Sequence, residues 1–289
     1  MLADSIKLLR PHQYVKNGFV LIGTLFSQQW DQNAIGQAVT LFIAFCAISS
    51  AVYILNDIFD SAADRLHPVK CHRPIASGVI SRARATLLLL LMMCISVSLS
   101  ISINNYVLLF IAGYFVLNVF YSVYLKHIVI LDVFVIATGF MLRLLAGTTG
   151  LDIEPSHWLL LCGLMVTLFL GFAKRRAELL TLEKSGSDSS RKVLSDYSPI
   201  LLELMLGITA ACTILSYGLY TVSPQTQALH QSQWLILTLP LVMYGMFRYL
   251  YLLFGEQAGS DTAQDIFTDR HLLITALLWL LLVIWSLQS

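Results

Sequence analysis

The amino-acid sequence predicts an all-α integral membrane protein with nine transmembrane helices and a cytosolic N-terminus. Of its 289 residues 57% are hydrophobic and only 12% are charged, about half the charged share of a typical soluble domain. The apolar residues form runs close to the roughly 20 residues that an α-helix needs to cross a bilayer. The runs lie near 17–30, 36–56, 85–103, 105–125, 128–149, 157–173, 199–220, 234–254 and 271–288. The first run is short and weak.

The positions of the basic residues set the predicted orientation. With a cytosolic N-terminus, 16 of the 18 Lys and Arg residues fall in the inside segments, and the outside loops contain none. The other two, Arg143 and Arg248, lie within spans. By the positive-inside rule, every long polar loop then faces the cytosol, as expected for a multi-pass protein of the bacterial inner membrane. The inside segments are 1–16, 57–84, 126–127, 174–198 and 255–270.

Three aspartates follow the second apolar run in the stretch NDIFDSAAD. If the helix continues, Asp57, Asp60 and Asp64 are spaced i, i+3 and i+7 and share one face. Like charges so placed repel one another, and carboxylate oxygens are the ligands that Mg²⁺ prefers, commonly together with substrate phosphates. The pattern favours a Mg²⁺ site for a diphosphate over a solvated helix with three exposed acids. Cations suited to phosphate follow at Arg65, His67, Lys70 and Arg73.

This stretch, followed by HPVKCHRPIASG at 67–78, resembles the UbiA superfamily of intramembrane prenyltransferases. The resemblance covers essentially the whole chain. It implies nine helices around a central cavity open to lipid, and one transmembrane catalytic domain over residues 1–289.

Four further motifs resemble the decaprenyl-phosphate phosphoribosyltransferase branch of that superfamily. Each lies at a predicted cytosolic helix end. The loop after the sixth span departs from the superfamily's second aspartate motif, because it begins with Lys174-Arg175-Arg176, and Asp188 and Asp196 lack the spacing. A basic loop suits a phosphate bound directly. The four motifs are LRPHQYVKN at 9–17, YSVYLK at 121–126, GFAKRRAEL at 171–179 and DIFTDRHLL at 265–273.

The resemblance implies a transferase that moves 5-phosphoribose from 5-phosphoribosyl-1-diphosphate to a polyprenyl phosphate in cell-envelope precursor synthesis. Mg²⁺ on Asp57, Asp60 and Asp64 would neutralise the leaving diphosphate. The phosphate nucleophile is already anionic, so no general base is expected. The implied substrate-binding residues are Lys16, Asn17, Asn56, Lys70, Arg73, Tyr121, Lys126, Lys174, Arg175, Glu178, Asp269 and Arg270.

Several alternatives stay open at this point. A second enzymatic reading is transfer of an isoprenoid diphosphate to an aromatic or other acceptor, and a third is a transporter that uses the acids as an ion site. Asp261, Asp265 and Asp269 are compatible with a second metal or with a solvated amphipathic turn. Lys16 and Arg10 are compatible with ligand roles or with simple topology anchors. The expected partners are the bilayer and the two substrates, with no nucleic acid; a homo-oligomer is neither required nor excluded.

Two basic residues within spans also have open roles. Arg143 is compatible with pairing to Glu203 or with substrate binding, and Arg248 with extension towards the membrane surface.

Overall fold

A computed structural model describes residues 2–27, 30–66, 70–185, 196–255 and 268–288, and within them all regular structure is helical. The segments that contain His67, Asp188, Asp261 and Asp265 lie outside the described residues. The α-helices are α1 (Leu2–Leu9), α2 (Ile22–Ser27), α3 (Gln32–Asp64), α4 (Arg82–Ile103), α5 (Asn105–Val123), α6 (Leu131–Gly147), α7 (His157–Ser185), α8 (Pro199–Val222), α9 (Pro224–His230), α10 (Leu239–Phe254) and α11 (Arg270–Gln288). Short 3₁₀ helices occupy Pro11–Leu21, Lys70–His72, Leu125–His127, Thr149–Leu151 and Trp234–Thr238.

Eight helical segments among the described residues are long and apolar enough to cross a membrane. The prediction of an all-helical multi-span fold is confirmed, whereas the count of nine is not. The predicted first span near 17–30 is instead divided between the 3₁₀ helix Pro11–Leu21 and the six-residue α2. The two pieces follow one another directly, and residues 28 and 29 of the predicted span lie outside the described residues.

The chain divides into two compact units. The first comprises Met1–Leu25, Gln29–Tyr124 and Leu142–Ile153. The second comprises Phe26–Gln28, Leu125–Met141 and Glu154–Ser289. The boundary therefore falls within α6.

In the first unit, α3 packs against α4 and α5 around a core that includes Phe45, Ile48 and Ile111. Small polar residues let the helices approach closely, as the Ser96 hydroxyl on α4 donates to the Ala44 carbonyl on α3 at 2.9 Å. The start of α3 is capped by Asp31, whose carboxylate accepts from two backbone amides. The result is a long, largely buried helix that carries the acidic motif at its end.

In the second unit, α7 packs against α8, and a second core includes Phe169, Leu206 and Tyr249. Helix α7 continues to Ser185, well beyond the predicted end of its apolar run near residue 173. Lys174 and Arg175 therefore lie inside a helix. Leu125–His127, which carries Lys126, is a separate 3₁₀ turn just before α6.

Candidate active site

The acidic motif is helical throughout. Helix α3 runs without a break to Asp64, as the spacing predicted. Asp57 and Asp64 are 3% and 4% exposed, and Asp60 is half-buried. Three carboxylates at one helix end are costly to bury unless positive charge balances them.

Two arginines supply that charge. Arg73 Nη1 lies 2.7 Å from Asp64 Oδ2 and 3.2 Å from Asp57 Oδ1. Arg10 Nη2 lies 2.6 Å from the same Asp57 oxygen. Oxygens from two aspartates thus converge on one guanidinium nitrogen. The donor set is anionic, oxygen-only and already wrapped around a cation, which fits the ligand chemistry of Mg²⁺.

Three His, Cys, Asp or Glu side chains close enough to hold a metal ion do not occur together in the described parts of the chain. The two arginines instead balance the negative charges of Asp57 and Asp64, as a divalent cation bound there would. Asp60, the middle acid of the motif, also makes a polar contact.

The two arginines reach the motif from different loops. Arg73 follows the 3₁₀ turn Lys70–His72, and the buried Ile75 and Ala76 anchor the chain just behind it. Lys70, also predicted to bind phosphate, is half-buried on that turn.

Arg10 is a contributor that sequence reasoning underrated, because a topology anchor explained its position equally well. It has a left-handed backbone with φ of 53° and stacks over the Tyr53 ring at 5.1 Å. The available signal was its place at the start of the motif LRPHQYVKN.

Asn56 ties the acidic helix to the end of α5. Its side-chain oxygen accepts a hydrogen bond from the Ser122 hydroxyl. Tyr121 is the neighbour of Ser122 in the YSVYLK motif and is half-buried. The hydroxyl of Ser61, one turn after Asp57, accepts from Arg82 at 2.8 Å. These contacts fix α3 against its neighbours within the first unit.

Asn17 lies inside the first unit with no exposed surface. Its oxygen accepts from Arg143 Nε at 2.8 Å and from the Ser49 hydroxyl at 3.2 Å. The Arg143 guanidinium also donates to the Tyr114 hydroxyl at 2.8 Å and lies over that ring. In the second unit, Glu203 lies 3.5 Å from Arg176. Lys16, the neighbour of Asn17, is half-buried.

The second unit gathers a different set of charges. Arg175, 1% exposed, has Nη1 2.6 Å from Glu178 and Nε 3.5 Å from the fully buried Asp132. The other Asp132 oxygen accepts from the Tyr197 hydroxyl at 2.7 Å. Lys126 and Lys174 are half-buried. Asp132 and Tyr197 carry no motif signal, and sequence reasoning missed them.

Asp269 forms a two-pronged ion pair with Arg248, at 2.7 and 3.2 Å. This hydrogen bonding holds the pKa of Asp269 below its usual range. The same carboxylate caps α11 by accepting from the Leu272 amide at 2.9 Å. Arg248 is thus paired, whereas the sequence suggested extension towards the membrane surface. Arg270 is exposed.

Within each unit, some of the predicted site residues are in contact. The first unit brings Asp57, Asp64 and Arg73 into contact, and the second brings Arg175 and Glu178 into contact. The substrate contacts assigned to the remaining residues stay predictions.

A sequence model of the UbiA prenyltransferase family matches residues 18–268. The chain belongs to the UbiA prenyltransferase family. As a member of this family with eight apolar helices among the described residues, it is a multi-pass membrane protein and a transferase.

Two relatives in this family cover nearly the whole chain. A decaprenyl-phosphate phosphoribosyltransferase of Corynebacterium glutamicum is 32% identical over 99% of this chain and 87% of its own length. The protein of the same name from Mycolicibacterium smegmatis is 31% identical, with 97% and 91% covered. These matches confirm the resemblance to this UbiA branch.

Solved UbiA structures confirm the fold. A UbiA homolog from Archaeoglobus fulgidus bound to GPP and Mg²⁺ superposes with a TM-score of 0.72 at 17% identity, covering 99% of this chain and 100% of that one.

Proposed function

We propose that this UbiA family member transfers 5-phosphoribose from 5-phosphoribosyl-1-diphosphate to a polyprenyl phosphate of the decaprenyl type, with release of diphosphate. The observation that carries the proposal is the convergence of Asp57 and Asp64 on the Arg73 guanidinium, which pairs a carboxylate cluster with phosphate-binding cations at one helix end. The two relatives named for this reaction support the donor and the acceptor.

Asp57, Asp60 and Asp64 would hold the divalent cation. A bound Mg²⁺ supplies charge neutralisation for a departing diphosphate. The UbiA homolog whose structure contains Mg²⁺ supports this choice of metal. Arg10 and Arg73, which now compensate the aspartates, are placed to turn to diphosphate oxygens once a cation takes their place.

In the reaction, the bond between C1 of the ribose and the diphosphate oxygen breaks. An oxygen of the polyprenyl phosphate forms the new bond to C1. That phosphate is anionic near neutral pH, so the protein's main task is to hold two repelling anions in line. Lys16, Lys126, Lys174 and Arg175 are our candidates for this task. The other candidates for substrate contacts are Asn17, Asn56, Lys70, Arg73, Tyr121, Glu178, Asp269 and Arg270.

We further propose that residues 1–289 form one catalytic domain in the bacterial inner membrane, with the site on the cytosolic side. The one-sided distribution of Lys and Arg supports this orientation, and a water-soluble sugar diphosphate would have access to that side. The product would serve cell-envelope glycan synthesis.

Incubating the purified protein with labelled 5-phosphoribosyl-1-diphosphate, decaprenyl phosphate and Mg²⁺ tests the proposal. We expect label in the lipid fraction and a lipid mass that matches phosphoribosylation. Asp57→Asn, Asp60→Asn and Asp64→Asn should each lower turnover by about 10²-fold or more, the usual effect of losing charge stabilisation at a reacting centre.

Asp152→Asn is the matched control. Asp152 is exposed and has a left-handed backbone with φ of 59°, which Asn also adopts readily. It should retain full activity. Transfer from a prenyl diphosphate to an aromatic acceptor, without any label from the phosphoribosyl donor, would refute the proposal in favour of the prenyltransferase alternative. Ion flux in liposomes without chemical turnover would favour the transporter instead.

A further inference from the structure

A relay of hydrogen bonds and ion pairs through Tyr197 links buried residues of the second unit. The backbone amide of Ile130 donates to the Tyr197 hydroxyl oxygen at 2.7 Å. The same hydroxyl donates to Asp132 Oδ1, also at 2.7 Å. One buried hydroxyl therefore bonds a backbone amide and one oxygen of the Asp132 carboxylate at once.

The relay continues from Asp132 into α7. Asp132 Oδ2 faces Arg175 Nε at 3.5 Å, and Arg175 Nη1 lies 2.6 Å from Glu178. Tyr197, Asp132 and Arg175 are between 0% and 3% exposed. Burial, reinforced by the bond to Asp132, raises the pKa of Tyr197, so the hydroxyl keeps its proton and acts as a donor at neutral pH.

The backbone at the start of the relay is strained. Ile130 has a φ of 68°, an uncommon and costly conformation for a β-branched residue. Such a conformation persists only where surrounding contacts hold it in place. The bond from the Ile130 amide to Tyr197 is one of those contacts. Ile130 lies three residues after the turn Leu125–His127.

The relay thus connects two basic segments of the second unit. Lys126 lies in the turn at one end, and Lys174 precedes Arg175 on α7 at the other. Both lysines are candidates for phosphate binding. Because each is close in sequence to a relay member, a shift in the relay would move one lysine relative to the other.

We propose that Tyr197 is a positioning residue that sets the Lys126 turn against the Lys174–Arg175 segment of α7 for binding a diphosphate. This proposal rests on the proposed function in assigning those lysines to the substrate. Tyr197 itself touches no substrate in this scheme. It acts through Ile130 on one side and through Asp132 on the other.

Tyr197→Phe removes only the hydroxyl. The matched control is Tyr217→Phe in the same unit, because the buried Tyr217 hydroxyl likewise makes two hydrogen bonds. One is shared with the Thr238 hydroxyl at 2.6 Å, and the other is accepted from the Trp279 indole at 2.9 Å. Both variants should lose a similar amount of thermal stability. They differ in that only Tyr197 is bonded to the backbone near the Lys126 turn.

Amide hydrogen exchange in the peptide spanning 125–131 should speed up in Tyr197→Phe and stay unchanged in Tyr217→Phe. The KM for the phosphoribosyl donor should rise about tenfold in Tyr197→Phe with a smaller change in kcat, because misplaced binding groups weaken substrate positioning. The control should keep the wild-type KM. Unchanged exchange, an unchanged KM, or equal KM changes in both variants would overturn the proposal.

Inorganic pyrophosphate gives a readout that does not depend on the donor. Its affinity, measured by its effect on thermal unfolding, should fall about tenfold in Tyr197→Phe alone. If wild type transfers no phosphoribose but binds pyrophosphate about tenfold more tightly than Tyr197→Phe does, the proposed donor is wrong and the positioning role stands. If transfer occurs but pyrophosphate affinity is unchanged in Tyr197→Phe, the positioning role is wrong and the donor stands.

Discussion

Arg10 and Asp57, 47 positions apart in the sequence, form an ion pair in which Nη2 lies 2.6 Å from Oδ1. The carboxylate is 3% exposed and the arginine side chain 26%. Arg10 also adopts a left-handed backbone that a non-glycine residue rarely takes up without compensation. A strained residue aimed at a predicted metal ligand indicates that the conformation is held for this contact.

Removing the Arg10 charge should separate its two effects. In the absence of metal, we expect Arg10→Gln to lower the free energy of unfolding by about 1–3 kcal/mol, the cost of removing a hydrogen-bond donor from a buried carboxylate. Mg²⁺ should then stabilise the variant at about fivefold lower concentration, since a screened charge competing with the ion is worth roughly 1 kcal/mol. Thermal unfolding across a Mg²⁺ titration measures both.

Lys7→Gln is the control for that experiment. Lys7 is exposed on α1, three residues before Arg10, and its loss changes the net charge equally. It should leave both stability and Mg²⁺ dependence unchanged. A weaker Mg²⁺ response in Arg10→Gln than in wild type would show that the arginine supports the ion instead of competing with it.

Asn17 should contribute to stability as well as to substrate binding. It is fully buried and accepts from Arg143 at 2.8 Å. Asn17→Ala therefore leaves a buried guanidinium donor unsatisfied, at a cost of about 1–3 kcal/mol. Asn118→Ala, which removes one bond to the Tyr114 carbonyl from a half-buried position, should cost less. We expect the melting temperature of Asn17→Ala to fall and, because Asn17 is a candidate substrate-binding residue, KM measured on the folded fraction to rise; an unchanged KM would limit the role of Asn17 to holding Arg143.

The pH dependence of stability should contain a contribution from His230 at the end of α9. Burial lowers the pKa of this imidazole below its ordinary value of 6.5. Below about pH 6.5 the unfolded chain takes up a proton that the folded protein does not, so stability falls as pH drops towards the folded-state pKa. His230→Gln should flatten this part of the melting-temperature profile between pH 7 and 5. An unchanged slope would show that the imidazole takes up its proton at the same pH in the folded and unfolded states.

Helical periodicity made the placement of the three aspartates at the end of α3 predictable. The acids of α3 are spaced locally, so their shared face followed from the sequence once the helix was assumed to continue. The span predicted near 17–30 stays a prediction. Its described residues belong to the 3₁₀ helix Pro11–Leu21 and to α2, and the buried Asn17 bonds to Arg143 within the first unit.

The charge pairings were not predictable in the same way. Arg143 meets Asn17 across 126 positions, and Tyr197 meets Asp132 across 65. No local spacing encodes such contacts, because they depend on which helix faces pack together. From the sequence, Arg143 was compatible with pairing to Glu203 or with substrate binding. In the structure it donates to Asn17 and to the Tyr114 hydroxyl.

The close approach of Gly23 and Gly147 gives the last prediction. A Cβ on Gly23 would collide with the Gly147 carbonyl, and a Cβ on Gly147 would collide with the Val20 carbonyl. These obstacles are backbone atoms that cannot rotate away. Gly147 lies one helical turn after Arg143, which bonds to Asn17. The contact between Gly23 and Gly147 therefore helps to fix the position along α6 of the segment that carries Lys16.

We expect Gly23→Ala and Gly147→Ala each to destabilise the protein by about 3 kcal/mol, as overpacking against a rigid neighbour does. Gly113→Ala is the matched control, since its Cβ would meet only Leu142 Cδ2 at 4.0 Å. Within helix α5 that change should be neutral or stabilise by up to about 1 kcal/mol. Thermal unfolding of the three variants in the same detergent decides the matter. Equal effects at all three positions would mean that the backbones at Val20 and Gly147 have room to separate.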